Sequence, residues 1–262
     1  METPTEASSE AQAGTEAQTG PAPVRAAATE VRQRWRVTFC RDLIPGEQGL
    51  VGRDYVAAWE DALGRSSLPI AETAAGRLRF SLAAPLPVSS TGEAELAELW
   101  LTARLPAWRL REALTPPLPA GHRITDLEDV WMGAPALAGR VAAADYRVTL
   151  ADGPDEREVA AAARRVIGAR SLPRSRAKGG AVKSYDLRPL LISIRIGGGD
   201  ESDSVKPSAE ELVVRLRTRI HPELGSGRPE EVLAALSDEL GVVLEAAETV
   251  RERLVLADEL ER

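Results

Sequence analysis

Cysteine, histidine, lysine and aromatic residues are all scarce in this chain. The single cysteine, Cys40, has no partner within the chain. This excludes an internal disulfide framework, a four-thiolate zinc site and a self-contained iron–sulfur cluster. Cys40 has no sequence-adjacent activator and reads as a small half-buried residue at a strand end rather than a nucleophile. The two histidines, His122 and His221, sit beside Gly121 and Pro222 with no Cys or His at ligand spacing. They read as surface or loop residues, and neither a metal nor a cofactor is expected. No apolar run approaches the roughly 20 residues of a bilayer span, and the N-terminus lacks the apolar core of a signal peptide. A soluble, cytoplasmic protein without a membrane partner is expected.

Lysine is nearly absent as well: of 33 basic residues only Lys178, Lys183 and Lys206 are not arginine. Arginine suits bidentate phosphate contacts, although a GC-rich genome writes the same bias. The formal charge of -7 is unevenly spread. Residues 1–32 carry Glu2, Glu6, Glu10, Glu16 and Glu30 with almost no large apolar side chain, which predicts a disordered acidic tail. The last 26 residues are acidic too, so the body between the two ends is mildly basic and the acidic total does not argue against an anionic partner.

A chain of 262 residues holds one large or two small domains. Trp35, Val37 and Phe39 alternate with polar residues as in a half-buried strand. Tyr55, Val56, Trp59, Ala62 and Leu63 recur at helical spacing. Strands over 78–82 and 99–103, a short helix over 108–114 closed by Pro116 and Pro117, and a strand over 124–131 complete a strand, helix, strand, strand, helix, strand order. The second half repeats it: strand 146–150, helix 155–167, strands 187–196 and 212–220, helix 229–240 opened by Pro229 and closed by Gly241, then a last strand. The expected fold is α+β, two tandem ferredoxin-like (βαββαβ) units over 33–133 and 141–256. The five tryptophans read mostly as core. Gly197-Gly198-Gly199 is followed by acids rather than Lys-Ser or Lys-Thr, and reads as a solvated turn, not a phosphate loop.

The strongest local feature is the basic run over 164–188, with Arg164, Arg165, Arg170, Arg174, Arg176, Lys178, Lys183 and Arg188 against only Asp186. Gly179 and Gly180 mark its centre as a flexible hairpin tip, and a mobile basic loop can clamp a phosphate backbone. Arg215, Arg217 and Arg219 share one strand face, joined by Arg195 from the preceding strand. Arg34, Arg36, Arg77 and Arg79 do the same in the first half. In a ferredoxin-like unit such residues point from the face that helices leave bare. No aromatic pair accompanies them, which argues against sequence-specific base stacking.

Several segments in order carry a resemblance: 54–63 (DYVAAWEDAL), 68–71 (LPIA), 79–87 (RFSLAAPLP), 142–148 (AAADYRV), 183–190 (KSYDLRPL) and 228–236 (RPEEVLAAL). They resemble the bacterial radical SAM-linked family of unknown function, found as an extension of cobalamin-binding-type radical SAM proteins or as a separate chain. The family's helix start, Ser-His-Leu-Asp, stands here as Val51-Gly52-Arg53-Asp54. Its Gly-Phe-Asn-Pro-His-Pro-Lys signature is shortened to about Ala75-Gly76-Arg77-Leu78-Arg79, so this is a divergent member without those histidines. The resemblance implies an accessory module for a separate radical SAM enzyme, which this chain cannot itself be without three cluster cysteines.

The expectation is therefore a non-catalytic module that presents RNA or another anionic substrate through Arg170, Arg174, Arg176, Lys178, Lys183, Arg188, Arg215, Arg217 and Arg219. The alternatives are an enzyme with a carboxylate and arginine site, Asp54 or Asp186 with Arg188, and a purely structural protein adaptor.

Overall fold

In the computed structural model, residues 30–44, 49–151, 155–178, 181–197 and 212–260 are described. Most of the tail over 1–32 and the tip glycines Gly179 and Gly180 lie outside them. The first half contributes β1 (Gln33–Arg41), α1 (Gly52–Arg65), β2 (Phe80–Leu82), β3 (Thr91–Leu101), α2 (Ala107–Leu114) and β4 (His122–Asp129). The second contributes β5 (Val141–Leu150), α3 (Glu156–Gly168), β6 (Pro173–Lys178), β7 (Ala181–Asp186), β8 (Leu191–Ile196), β9 (Val213–His221), β10 (Gly225–Ser226), α4 (Pro229–Leu240), β11 (Ala246–Leu256) and α5 (Ala257–Leu260).

Burial follows side-chain period. In the first half, Trp35, Val37 and Phe39 of β1 and Ala97, Leu99 and Leu101 of β3 pack under Tyr55, Trp59 and Leu63 of α1 and Leu110 and Leu114 of α2. In the second, Tyr146, Val148, Val214 and Leu216 pack under Val159, Ala162, Ala163 and Val166 of α3 and Val232, Leu233 and Leu236 of α4. The Asp155 carboxylate caps α3 by accepting from Arg157 N at 2.8 Å. Pro229 opens α4, and Gly241, at φ 70°, closes it in the left-handed conformation that glycine adopts without strain.

The result is an α+β structure around one nine-stranded sheet, with a separate β6–β7 hairpin. Within the first half the order is β4-β1-β3-β2, every pair antiparallel. Within the second it is β11-β5-β9-β8, again antiparallel throughout. Sequence reading expects two separate sheets; instead β11 runs parallel to β3 at Val250↔Thr91 and Arg251↔Gly92, merging the halves.

The expected bare face of the first half is not bare. Arg34 is 2% exposed and pairs with Glu98, itself fully buried, at 2.5 Å. The connection between the halves lies over them: Arg34 donates to Ala134 O and Pro135 O, and Leu137 N donates to Glu98 Oε2. Arg36 shares Glu98 and adds Glu128, Arg77 pairs with Glu60 of α1, and Arg79 lies over the Trp100 ring. Two tryptophans also depart from a core reading, because Trp108 and Trp131 are exposed.

Candidate anion-binding face

Strand alternation sends Asp145 and Arg147 of β5, Arg215, Arg217 and Arg219 of β9, and Ser193 and Arg195 of β8 away from the helices. Pairing register then decides which of them meet. Arg147 lies directly opposite Arg215, and Arg215 directly opposite Arg195. Three guanidinium groups thus form one row across three neighbouring strands. Like charges directly opposed across a sheet are destabilising, at Cβ separations of about 4.5–5.5 Å. The next row reads Asp145, Arg217, Ser193.

Among the described residues, carboxylates reach Arg147 and Arg215 but not Arg195. Arg147 donates to Glu252 Oε1 at 2.9 Å and to Glu93 Oε1 at 2.7 Å. Arg215 is 3.7 Å from the same Glu252 oxygen. Glu252 reaches both because the β11–β5 register shifts between Arg251 and Arg253, a bulge that re-aims the strand's side chains. Burial weighs against charge on Arg147, yet Glu93 and Glu252 hold its pKa above the ordinary arginine value. Arg217 is held up chiefly by its bidentate contact with Asp145, at 2.6 and 2.8 Å. Arg253 shares that aspartate at 3.0 Å. At the other end, exposed Arg195 has no ion pair or hydrogen bond with the described residues. The cleft over the row encloses about 400 Å³.

Within the basic run, from which a mobile clamp is expected, two arginines contact α4. Arg176 grips Glu231 of α4 with distances of 2.6 and 2.7 Å, and its guanidinium lies 4.9 Å from the Tyr185 ring centre. Arg174 pairs with Asp238 at 2.9 Å. Both guanidinium groups therefore fasten the hairpin to α4. Burial, then the contact with Glu231, pushes the Tyr185 phenol up to about 12. Asp186 accepts backbone N–H groups of Leu172 at 2.7 Å and Arg188 at 2.9 Å, and the first of these leads in lowering its pKa. Arg188 donates to Leu191 O. Asp186 and Arg188 thus close the hairpin's base. Asp54, exposed in the first turn of α1, belongs to the other half. Arg170 and Lys183 are exposed, and Arg219 is half-buried; none has an ion pair among the described residues. The side chain of Lys178 lies outside what is described.

Sequence reading identified Arg215, Arg217 and Arg219 and missed Arg147, Ser193 and Glu252. An outward Arg147 is legible from the alternation of β5. That it faces Arg215 depends on register, and Glu252 depends on a bulge. His122 also departs from a surface reading: its Nε2 accepts from the Tyr55 hydroxyl at 2.9 Å, and its ring stacks on Phe39. Among the described residues no three His, Cys, Asp or Glu side chains converge as a metal site. No described helix is long and apolar enough to cross a membrane.

The model of an uncharacterized protein family conserved in bacteria matches residues 48–223. No curated protein matches the chain. Among solved structures, a Cbf5-Nop10-Gar1 complex aligns at a TM-score of 0.44 and 9% identity, over 84% of this chain and 48% of that one. An archaeal box H/ACA sRNP Nop10-Cbf5 complex aligns at 0.41 and 12% identity, over 84% and 47%. The chain thus spans about half the length of either. An unknown protein from Galdieria sulphuraria aligns at 0.23 and 17% identity, over 82% and 96%.

Proposed function

This chain belongs to the family of uncharacterized proteins conserved in bacteria (DUF2344), and on that premise we propose a non-catalytic module that holds RNA or another phosphate-bearing partner on the open face of its second half. The observation that carries the reading is the Arg147, Arg215, Arg195 row. A cross-strand line of like charges that ends on Arg195, which has no carboxylate partner among the described residues, costs stability, and an incoming phosphate removes that cost. The shallow, polar cleft suits a backbone passing over it rather than an enclosed small molecule. Arg217, Arg219 and Ser193 extend the row, with the exposed Arg170 and Lys183 of the basic run as further cations.

The strand orders β4-β1-β3-β2 and β11-β5-β9-β8 support reading 33–133 and 141–256 as two ferredoxin-like units. The enzyme to which the bound partner is presented is a radical SAM protein, a reading supported by the six segments quoted above. Its docking surface is the first half, where Leu43, Leu50, Val51, Val56 and Val88 are exposed around the start of α1. This same cluster favours the second reading, an adaptor that joins proteins and binds no RNA.

Titration of a labelled single-stranded RNA at two salt concentrations separates these readings. A phosphate-binding face weakens with salt, and loses about 0.7 from its log–log salt slope for each phosphate contact removed. Replacing Arg195 and Arg215 by Ala lowers affinity, whereas Val56→Asp leaves it unchanged and abolishes co-purification of the enzyme. No binding at low salt, or equal affinity in the Arg195/Arg215 variant, refutes the RNA reading and leaves the adaptor.

A further inference from the structure

Arg34, Arg41 and Arg251 are each at most 4% exposed. Two of them own a buried glutamate: Glu98 for Arg34 and Glu95 for Arg251. Arg41 has no carboxylate within ion-pair distance among the described residues. Its guanidinium donates to Leu50 O at 2.7 Å and lies 4.7 Å from the Tyr55 ring centre. The adjacent Asp42 is exposed, and its carboxylate lies 3.8 Å from Arg123. A buried cation without a counter-ion carries a desolvation cost that a cation–π contact offsets only in part. Among the described residues this need is met for Arg34 and Arg251 and left open at Arg41.

The missing negative charge has a place to sit. A cavity of about 60 Å³ lies against Arg41, bounded by Gly49, Leu50, Ala120 and His122, with Asp42, whose carboxylate is turned toward Arg123, on its rim. That is several times the roughly 10–15 Å³ one water needs, and water brings no charge. Gly49 keeps the cavity open: a Cβ there would sit 3.3 Å from Arg41 Nη2 and 3.0 Å from Val88 O. His122 forms the opposite wall with its tautomer set by neighbours. Nδ1 faces Ala120 O at 2.9 Å and Pro119 O at 3.1 Å, so it carries the proton, while Nε2 accepts from Tyr55. The wall opposite Arg41 is therefore a neutral ring that does not compete for the arginine.

The geometry points to a second anion site, independent of the open sheet face, in which Arg41 binds the carboxylate or phosphoryl oxygens of a small ligand between Gly49 and His122. A bidentate oxyanion fits the planar donors of Arg41 better than a halide does. Leu43 and Leu50 at the mouth suit an apolar substituent on the ligand.

With only two histidines in the chain, imidazole NMR reads the site directly. Inorganic phosphate and acetate are titrated separately at constant ionic strength. The His122 signals move saturably with at least one of them and the His221 signals do not; the anion that saturates at lower concentration identifies a phosphoryl or a carboxylate site. In Arg41→Gln the midpoint rises about tenfold or more, as for loss of a charge-assisted contact, and in Arg195→Ala it is unchanged. Wild-type His122 signals that stay still with both anions overturn the proposal, as does a midpoint unchanged by Arg41→Gln. A midpoint raised by Arg195→Ala overturns it too, by moving the anion to the open face. Should Arg41→Gln not fold, the wild-type titration and Gly49→Leu, which fills the cavity and keeps the charge, decide the matter: Gly49→Leu abolishes the saturable shift or the proposal falls.

Discussion

Arg251, on β11 of the second half, forms a buried ion pair with Glu95, on β3 of the first, beside the short parallel contact that merges the halves. Its guanidinium also donates to Pro85 O at 2.9 Å and Ala84 O at 3.1 Å, so the loop before β3 is held by the same group. Burial opposes the charge on Arg251, but Glu95 outweighs it and the guanidinium pKa rises. The backbone pairing between β11 and β3 covers only two residue pairs. This ion pair is thus a principal polar tie between the halves.

Removing one partner leaves the other charged and buried. Glu95→Leu or Arg251→Met is expected to cost about 3–5 kcal/mol in urea unfolding, while the double variant Glu95→Leu/Arg251→Met costs much less than the two together. Additive losses would show that the two side chains act independently.

The hairpin yields a prediction of the opposite kind. Arg176 and Glu231 are partly exposed, so Arg176→Ala is expected to cost only about 1 kcal/mol of global stability. Its main effect is local: amide exchange and trypsin cleavage across β6 and β7 rise, while RNA affinity at the open face stays within about twofold of wild type. A large loss of RNA affinity would return the binding role to the hairpin.

Much of this architecture is legible in the sequence because it rests on local rules. The alternation of Trp35, Val37 and Phe39, the spacing of Tyr55, Trp59 and Leu63, and the Pro229 to Gly241 frame of α4 each locate an element within a few residues. Arg34 shows where that reading stops. Alternation places it correctly on the side away from the helices, yet no local pattern announces that residues 134–137 cross this face and bury it with Glu98. The candidate site is legible to the same degree. The β9 arginines follow from period two, whereas the Arg147, Arg215, Arg195 row needs register and the reach of Glu252 needs a bulge.

All three tyrosines are held protonated beyond their ordinary range. Burial pushes Tyr55 and Tyr185 up to about 12 and raises Tyr146 as well. A phenol whose folded pKa lies above its unfolded value stabilises the fold fully below about pH 10, and this stabilisation is lost as pH rises toward 12. Absorbance at 295 nm is therefore expected to show little tyrosinate in the native protein at pH 10.5, and all three phenols titrating near 10 in urea. A native transition near 10 for a full tyrosine would contradict the burial assigned here.

His122 sets the acid limit. Burial first, and Arg41 after it, lower its pKa below 6.5, while the carbonyls of Ala120 and Pro119 and the charge of Asp42 oppose them. The unfolded chain then binds a proton that the folded one refuses, so stability is full above about pH 6.5 and falls as the pH drops toward the lower folded value. Protonating Nε2 also turns the acceptor for the Tyr55 hydroxyl into a donor and adds a second positive charge beside Arg41. The unfolding midpoint is expected to drop between pH 7.5 and 5.5, and His122→Gln, which keeps a polar end and does not titrate, is expected to flatten that part of the profile. Phosphate or acetate bound at Arg41 should shrink the drop, because the anion pairs with the imidazolium as well. A profile that His122→Gln leaves unchanged would show that His122 is not the source of the acid sensitivity.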